Sequence, residues 1–294
     1  RVHPKPTVWN WQQIDDFITF SKKHNLQVRL HGPISPQASK WVKEDHRTIE
    51  ELETNMIEFT TAFAKKFNKE PTVKWMDVVN ETILPNGKWF GPKKGTNKWE
   101  NPWLKIGLDD NGCPLYILKA FEIATKYATN IKLVYNHNAG MESFMWDKVK
   151  ETILYIRSKG YRVDGIGWQA HIGLSASTKA ILENTDEELR KLSDLIDWAH
   201  KNNLEFHITE LDYFVKDNNK LSEEHQKQAE IYAKIVNILR EKIKSGVVTL
   251  NFWDMAVRTK KGKEGAFHSI YDSDFKPTPA YKAINLLSKN QNHD

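Results

Sequence analysis

Two glutamates close apolar runs in this chain. Glu81 ends WMDVVNE (Trp75–Glu81), and Glu210 ends FHITE (Phe206–Glu210). Val78 and Val79 precede the first, and Ile208 and Thr209 precede the second, so each run has the composition of a buried strand. A carboxylate at the end of such a strand is costly to bury unless it has a partner or a task. Taken singly, each reads as a structural or surface residue. Two carboxyls at matching strand ends suit cleavage of a glycosidic bond. One holds a proton for the departing oxygen, and the other, ionised, attacks the anomeric carbon or steers a water.

Other polar groups fall at equivalent places. VRLH ends on His31, WMDVVNE on Asn80 and Glu81, and LVYNHN on Asn136, His137 and Asn138. GIGWQAH ends on Gln169 and His171, FHITELD on Glu210 and Asp212, and LNFWD on Trp253 and Asp254. A site at the C-terminal face of a parallel barrel produces this pattern. Histidine and glutamine there can hold ring hydroxyls and tune carboxylates. A metal centre built from His31, His137, His171 or His207 with Glu210 or Asp212 competes, but no two of them stand at HxxxH or HxH spacing on one element. No metal and no cofactor are expected. His207 lies three residues before Glu210, which in a strand turns it to the opposite face, packed against a helix.

The elements that must position these groups alternate. A helix with Ile14, Phe17, Ile18 and Ser21 on its apolar face precedes strand Val28–His31. Helix Thr48–Phe67, capped by Asp45 or Thr48, precedes strand Val73–Asn80. Helix Leu115–Tyr127 leads to strand Lys132–Asn136, and helix Ser143–Lys159, closed by Gly160, leads to strand Gly165–His171. Helix Asp186–Lys201 leads to strand Glu205–Glu210, helix Ser222–Lys244 to strand Val247–Trp253, and helix Thr278–Ser288 follows. Short apolar strands between helices are the signature of a parallel α/β sheet covered on its faces. No linker or low-complexity tract divides residues 1–294, so a single domain is expected. No Gly-rich phosphate loop follows the first strand, which weakens a nucleotide-binding reading.

Composition narrows the class further. The 294 residues are 39% hydrophobic and 28% charged, as in an ordinary globular chain. The formal charge is +5, but Lys and Arg alternate with Asp and Glu as on solvated helix faces, so no nucleic-acid partner is expected. No apolar run is long enough for a membrane span. RVHPKPTVWNW lacks the apolar core of a signal peptide, which leaves secretion after signal removal open. The single cysteine, Cys113, allows no internal disulfide. Of the 11 tryptophans, Trp89, Trp99 and Trp103 lie in the turn-rich NGKWFGPKKGTNKWENPW, where they either pack a long loop or offer flat faces to sugar rings.

WMDVVNE, DGIGWQAH and HITELD, in this order, resemble the signatures of glycoside hydrolase family 10, the endo-β-1,4-xylanases. VRLH before them, LVYNHN between the first two and KPTPAYKAI near the end fit the same family, so the resemblance spans nearly the whole chain. It implies a (β/α)8 TIM barrel and a retaining cleavage of β-1,4-linked xylan or a related plant or algal polysaccharide. It implies Glu81 as acid/base and Glu210 as nucleophile. Asn80 would bond the sugar 2-hydroxyl, Gln169 and His171 would support Glu210, and His31 would line the non-reducing side. Tyr135 and Asn136 match the family's strand end, Asp212 and Asp254 match bracing acids, and Trp253 is the nearest aromatic to the expected lid. A secreted, periplasmic or cell-surface location follows from such a substrate.

The chain departs from the family in three places. LHGPISPQ puts Ser35 and Pro36 where a Trp and a second His are expected. Leu250 takes a usual Trp position, and MAVRTKKGKEG holds no second lid Trp. VWNWQQIDDF resembles the helix after the family's second strand, so six strand–helix units are visible and the first two strands are expected elsewhere in a longer polypeptide. An inserted or attached carbohydrate-binding module upstream is a further expectation. Two rival readings remain: a carbohydrate-binding barrel without catalysis, and a glycosidase of related fold acting on another β-glycan.

Overall fold

The computed structural model describes residues 1–95, 99–217, 220–259 and 265–289. The chain divides into two compact units, Arg1–His137 with Ser143–Gly165, and Asn138–Glu142 with Ile166–Asp294.

The first unit is built on α1 (Gln12–Lys23), β1 (Val28–Leu30), α2 (Ile49–Phe67), β2 (Val73–Asn80), α3 (Leu115–Tyr127), β3 (Lys132–His137) and α4 (Ser143–Ser158). β1, β2 and β3 pair in parallel, with Leu30 opposite Met76 and Asn80 opposite Asn136. Gly32 lets the end of β1 approach β2, because a Cβ there would stand 1.8 Å from the Asp77 carbonyl oxygen. α2 starts at Thr48, whose hydroxyl accepts from the Glu51 amide at 3.1 Å while the Glu51 carboxylate accepts from the Thr48 amide at 2.9 Å. That reciprocal cap satisfies two donors left open at a helix start. Leu52, Met56, Phe63 and Phe67 bury one face of α2. Trp9 and Trp11 stack with ring centres 4.9 Å apart, Trp9 meets Phe59, and Trp11 meets Phe63 and Phe67, so the N-terminal segment lies along this helix.

The second unit holds β4 (Gly165–Trp168), β5 (His171–Ile172), α5 (Ala176–Glu183), α6 (Thr185–Lys201), β6 (Glu205–Val215), α7 (Leu221–Lys242), β7 (Val248–Phe252), β8 (Arg258–Thr259), β9 (Ala266–His268) and α8 (Pro279–Lys289). β6 is its axis. The first half of β6 runs parallel to β7, with Phe206 opposite Val248. Its second half pairs in parallel with β5 and antiparallel with β9.

The helices expected from the sequence are present, and so are the strands with shifted ends, except that one of them is divided. Gly165–His171 is not one strand, because Ala170 takes a left-handed φ of 62° and separates β4 from β5. β6 continues five residues past Glu210 because β5 and β9 give its second half new partners. α1 buries Ile18 and Ser21, but Phe17, expected on the same face, is 52% exposed. Gly160 closes its helix at φ +83°, as a C-cap glycine does. Cys113 is buried, and burial followed by the charge of Asp109 pushes its thiol up to about 12.

Candidate active site

The first unit delivers Glu81 through a backbone turn. β2 shows a register irregularity between Asp77 and Val79, and Glu81 adopts φ 53°, a left-handed conformation costly for any residue with a Cβ. The Glu81 amide donates to the Asn136 carbonyl at 3.2 Å and the Asn80 amide to the Ile34 carbonyl at 3.0 Å, which holds the turn. Asn136 donates to the Asn80 side-chain oxygen at 3.0 Å. This bond orients the Asn80 amide so that its nitrogen faces the Glu81 carboxylate at 3.3 Å and the Ser35 hydroxyl at 3.4 Å. Asn80, Glu81 and Asn136 are all nearly or fully buried.

The flanking groups act as supports. Tyr135 is fully buried with its hydroxyl 2.5 Å from that of Thr82, so its ring offers no surface to a sugar; it braces the turn instead of contacting substrate. His137 Nε2 accepts from the Ile83 amide at 3.1 Å, which puts its proton on Nδ1. Arg29 donates to Asp77 at 2.9 Å, and His31 Nδ1 lies 3.4 Å from the other oxygen of the same carboxylate. His31 keeps about a third of its side chain exposed. Ser35 also accepts from the Gln37 amide, and its carbonyl accepts from the Trp103 indole at 3.2 Å. Trp103 is thus a buried support of the long loop, Trp89 is half-buried, and Trp99 remains 45% exposed. Residues 96–98 of that loop lie outside the described residues.

The second unit holds Glu210 in a chain of hydrogen bonds. Glu210 lies within a register irregularity of β6, between Ile208 and Leu211, the kind of local slip that re-aims a side chain. His171 lies 2.8 Å from Asp212 through Nδ1 and 3.2 Å from Glu210 through Nε2. His171 and Asp212 are opposite each other in the β5–β6 pairing, and the Asp212 amide donates to Ala170. Gln169, on the other side of the left-handed Ala170, is buried. Trp253, 41% exposed, meets the His171 ring edge-on at 5.9 Å and 86°. His207 is fully buried, bonded to Thr249 of β7 at 2.8 Å.

Arg258 has no place in the sequence-level site. It pairs with Asp254, reaches Asp212 at 3.9 Å and covers the face of Phe267 at 4.5 Å. The Asp254–Arg258 spacing of four was the available signal, hidden in a stretch that reads as ordinary basic surface. Residues 260–264 of the expected lid segment lie outside the described residues.

Burial opposes a charge on His171, but the hydrogen bonds and charges of Asp212 and Glu210 outweigh it and raise its pKa to about 10. Burial lifts the Asp212 carboxyl above its ordinary range, with His171 and Arg258 pulling the other way. An imidazolium between two carboxylates therefore persists through neutral pH. Because the folded-state value lies above the unfolded one of about 6.5, its stabilisation is complete below pH ~6.5 and is lost as pH rises through about 10. The stability gap between the wild type and His171→Gln is expected to shrink by a few kcal/mol over that window, at ~1.4 kcal/mol per pH unit. Denaturant titrations at pH 6, 8 and 10 read it, and a gap that stays constant would rule out the imidazolium.

The family model for glycosyl hydrolase family 10 matches residues 1–286. The chain belongs to glycosyl hydrolase family 10. The solved structures of this family that it resembles are (β/α)8 barrels, and the alternation of strands and helices here is of that class. Endo-1,4-beta-xylanase A of Thermoanaerobacterium saccharolyticum is 26% identical over 96% of this chain and 23% of that protein. Exoglucanase XynX of Acetivibrio thermocellus is 26% identical over 98% of this chain and 25% of that protein. The chain therefore spans about a quarter of the length of these two relatives. Xylanase 10B of Thermotoga petrophila, solved in complex with xylobiose, superposes with a TM-score of 0.77 at 25% identity, over 99% of this chain and 82% of that one.

Proposed function

We propose that this member of family 10 is a retaining glycoside hydrolase acting on β-1,4-linked xylan or a related plant or algal polysaccharide. The observation that carries the reading is the Glu210–His171–Asp212 chain. It holds the Glu210 carboxylate in a fixed orientation within β6, as a nucleophile requires. Glu81, turned by its left-handed backbone and faced by Asn80, is suited to hold and release a proton.

In the first step Glu210 attacks the anomeric carbon while the bond to the leaving oxygen breaks, and Glu81 gives that oxygen its proton. A glycosyl ester on Glu210 results. In the second step Glu81 takes a proton from water, the water oxygen bonds to the anomeric carbon, and the Glu210 carboxylate departs. His31, Gln169 and Trp253 supply polar and aromatic contacts for sugar rings. The xylanase names among the relatives and the xylobiose complex support a xylan substrate, while the exoglucanase name keeps both attack modes in view. Among the described residues no helix is long and apolar enough to cross a membrane. A polymer outside the cell calls for a secreted, periplasmic or surface-held enzyme.

Incubation with β-1,4-xylan, mixed-linkage xylan, β-glucan, mannan and aryl glycosides tests this, with products sized by mass and the first anomer read by proton NMR. Xylan products that form first as the β-anomer are expected. First formation of the α-anomer would overturn retention. Oligosaccharide binding with no release of reducing ends would favour a binding protein without catalysis.

A further inference from the structure

Trp89, unlike its neighbours in the long loop, faces a helix across a cavity. It closes a hairpin that leaves β2 just after Glu81 and Thr82: Trp89 pairs with Ile83, and the Leu84 amide donates to the Lys88 carbonyl at 2.8 Å. Gly87 at the tip takes φ +78° and lies so close to the start of α4 that a Cβ would stand 3.1 Å from the Phe144 carbonyl oxygen. The Trp89 indole donates to the Gly112 carbonyl at 2.9 Å. Between the hairpin and α4 lies a cavity of about 240 Å³, lined by Trp89, Asn111, Lys148, Glu151 and Tyr155 among others. All five belong to the first unit, and none contacts Glu81 or its supports as described above.

The lining selects the occupant. Lys148 Nζ and a Glu151 oxygen are 3.8 Å apart, beyond hydrogen-bond reach, with 35% and 71% of their side chains exposed. A positive and a negative group side by side match neither an anion nor a cation. They match hydroxyls, which accept from an ammonium and donate to a carboxylate. Asn111 gives one amide hydrogen to the Tyr155 hydroxyl at 2.7 Å, which leaves its carbonyl oxygen for a further donor. The apolar share comes from the half-buried Trp89 ring, with Lys148 Nζ 5.2 Å from its centre. That ammonium sits on a flexible stem, so it can yield the ring to a C–H face and still bond from the side. A flat aromatic surface bordered by a few donors and acceptors is suited to a neutral, polyhydroxylated ring. Phe144, Lys148, Glu151 and Tyr155 follow at spacings of four, three and four, which puts them on one face of α4. Phe144 is 78% exposed, more than any other large apolar side chain among the described residues. The stripe from Phe144 to Tyr155 runs about 16 Å along the helix. It is longer than a single sugar ring and open at its ends, as a polymer needs.

We propose that Trp89 and this face of α4 form a second binding site for a neutral β-linked polysaccharide chain, separate from the residues that cleave it. The choice of polymer rests on the hydrolase reading proposed above. A polymer held at both places dissociates less readily, because the second contact forms at high effective concentration, whereas a short substrate gains nothing. The test runs the full chain carrying Glu210→Ala through native gels that contain β-1,4-xylan, β-glucan or mannan. Adding Phe144→Ser or Glu151→Ala, both at exposed positions, is expected to weaken retardation by xylan roughly fivefold or more. Tm is expected to stay within about 2 °C. With Glu210 restored, the same two substitutions are expected to change kcat/KM on a short aryl glycoside by less than about twofold. Unchanged retardation on all three glycans would overturn the proposal. So would a parallel loss of aryl glycoside turnover, because these residues would then serve the cleavage groove itself. Retardation that the substitutions weaken, in a protein that cleaves none of the glycans, would leave the site standing and remove the hydrolase reading.

Discussion

Glu210→Ala is expected to reduce turnover of xylan by about 10⁶-fold, the scale seen when a covalent nucleophile is lost. The magnitude follows from the step that disappears. Without the carboxylate no glycosyl ester forms, and water must displace the leaving group directly. The substitution also frees His171 from one of its two carboxylate partners while leaving Asp212 in place. The loss can therefore be separated from disorder by adding azide with an activated aryl glycoside. Azide is expected to occupy the space of the missing carboxyl, attack the anomeric carbon and give the inverted α-glycosyl azide. Full turnover by Glu210→Ala, or azide rescue with retained configuration, would remove Glu210 from the nucleophile role.

Glu81→Ala is expected to cost about 10²–10⁴-fold, the usual scale for a general acid–base group, and the cost should depend on the leaving group. Alkoxide leaving groups, as in the polysaccharide itself, need the proton and should show the full loss. A dinitrophenolate departs without help, so the first step should stay fast while the second, which needs Glu81 as base, slows. Pre-steady-state kinetics should then show a burst of phenolate and an accumulated glycosyl-enzyme detectable by intact mass. A loss of equal size for every leaving group would reassign Glu81 to positioning. The backbone sharpens this test, because a non-glycine residue at φ 53° is strained. Glu81→Gly relieves that strain, so it should match Glu81→Ala in rate while being no less stable.

The apolar runs that close on polar groups were legible because they depend on local sequence. An apolar run that closes on a carboxylate is recorded in the seven residues of WMDVVNE and in the five of FHITE. The supports were less legible because they depend on distant partners. Nothing in FHITELDYFV states that β6 continues beyond Glu210, since the strand that pairs with Tyr213–Val215 is Ala266–His268, far along the chain. Trp103 and Trp99 stand in one loop with similar neighbours, yet one is buried against Ser35 and the other exposed. Local composition cannot separate them. Tyr135 entered the candidate site because Tyr135 and Asn136 match the family's strand end, but alternation along β3 sends it to the Thr82 side. Phe17 read as core because it shares a helical face with Ile18, and a face can be apolar without being covered.

The state of Cys113 has a practical consequence. A thiol held at about 12 in a buried position has almost no thiolate at neutral pH, and the thiolate is the reacting species. Alkylating reagents should pass the native chain by and label it only during excursions that uncover this cysteine. Since it is the sole cysteine in the sequence, the rate of a single mass increment becomes a built-in clock for local opening of the first unit. It can be read without any engineered probe and beneath the temperature at which the chain unfolds.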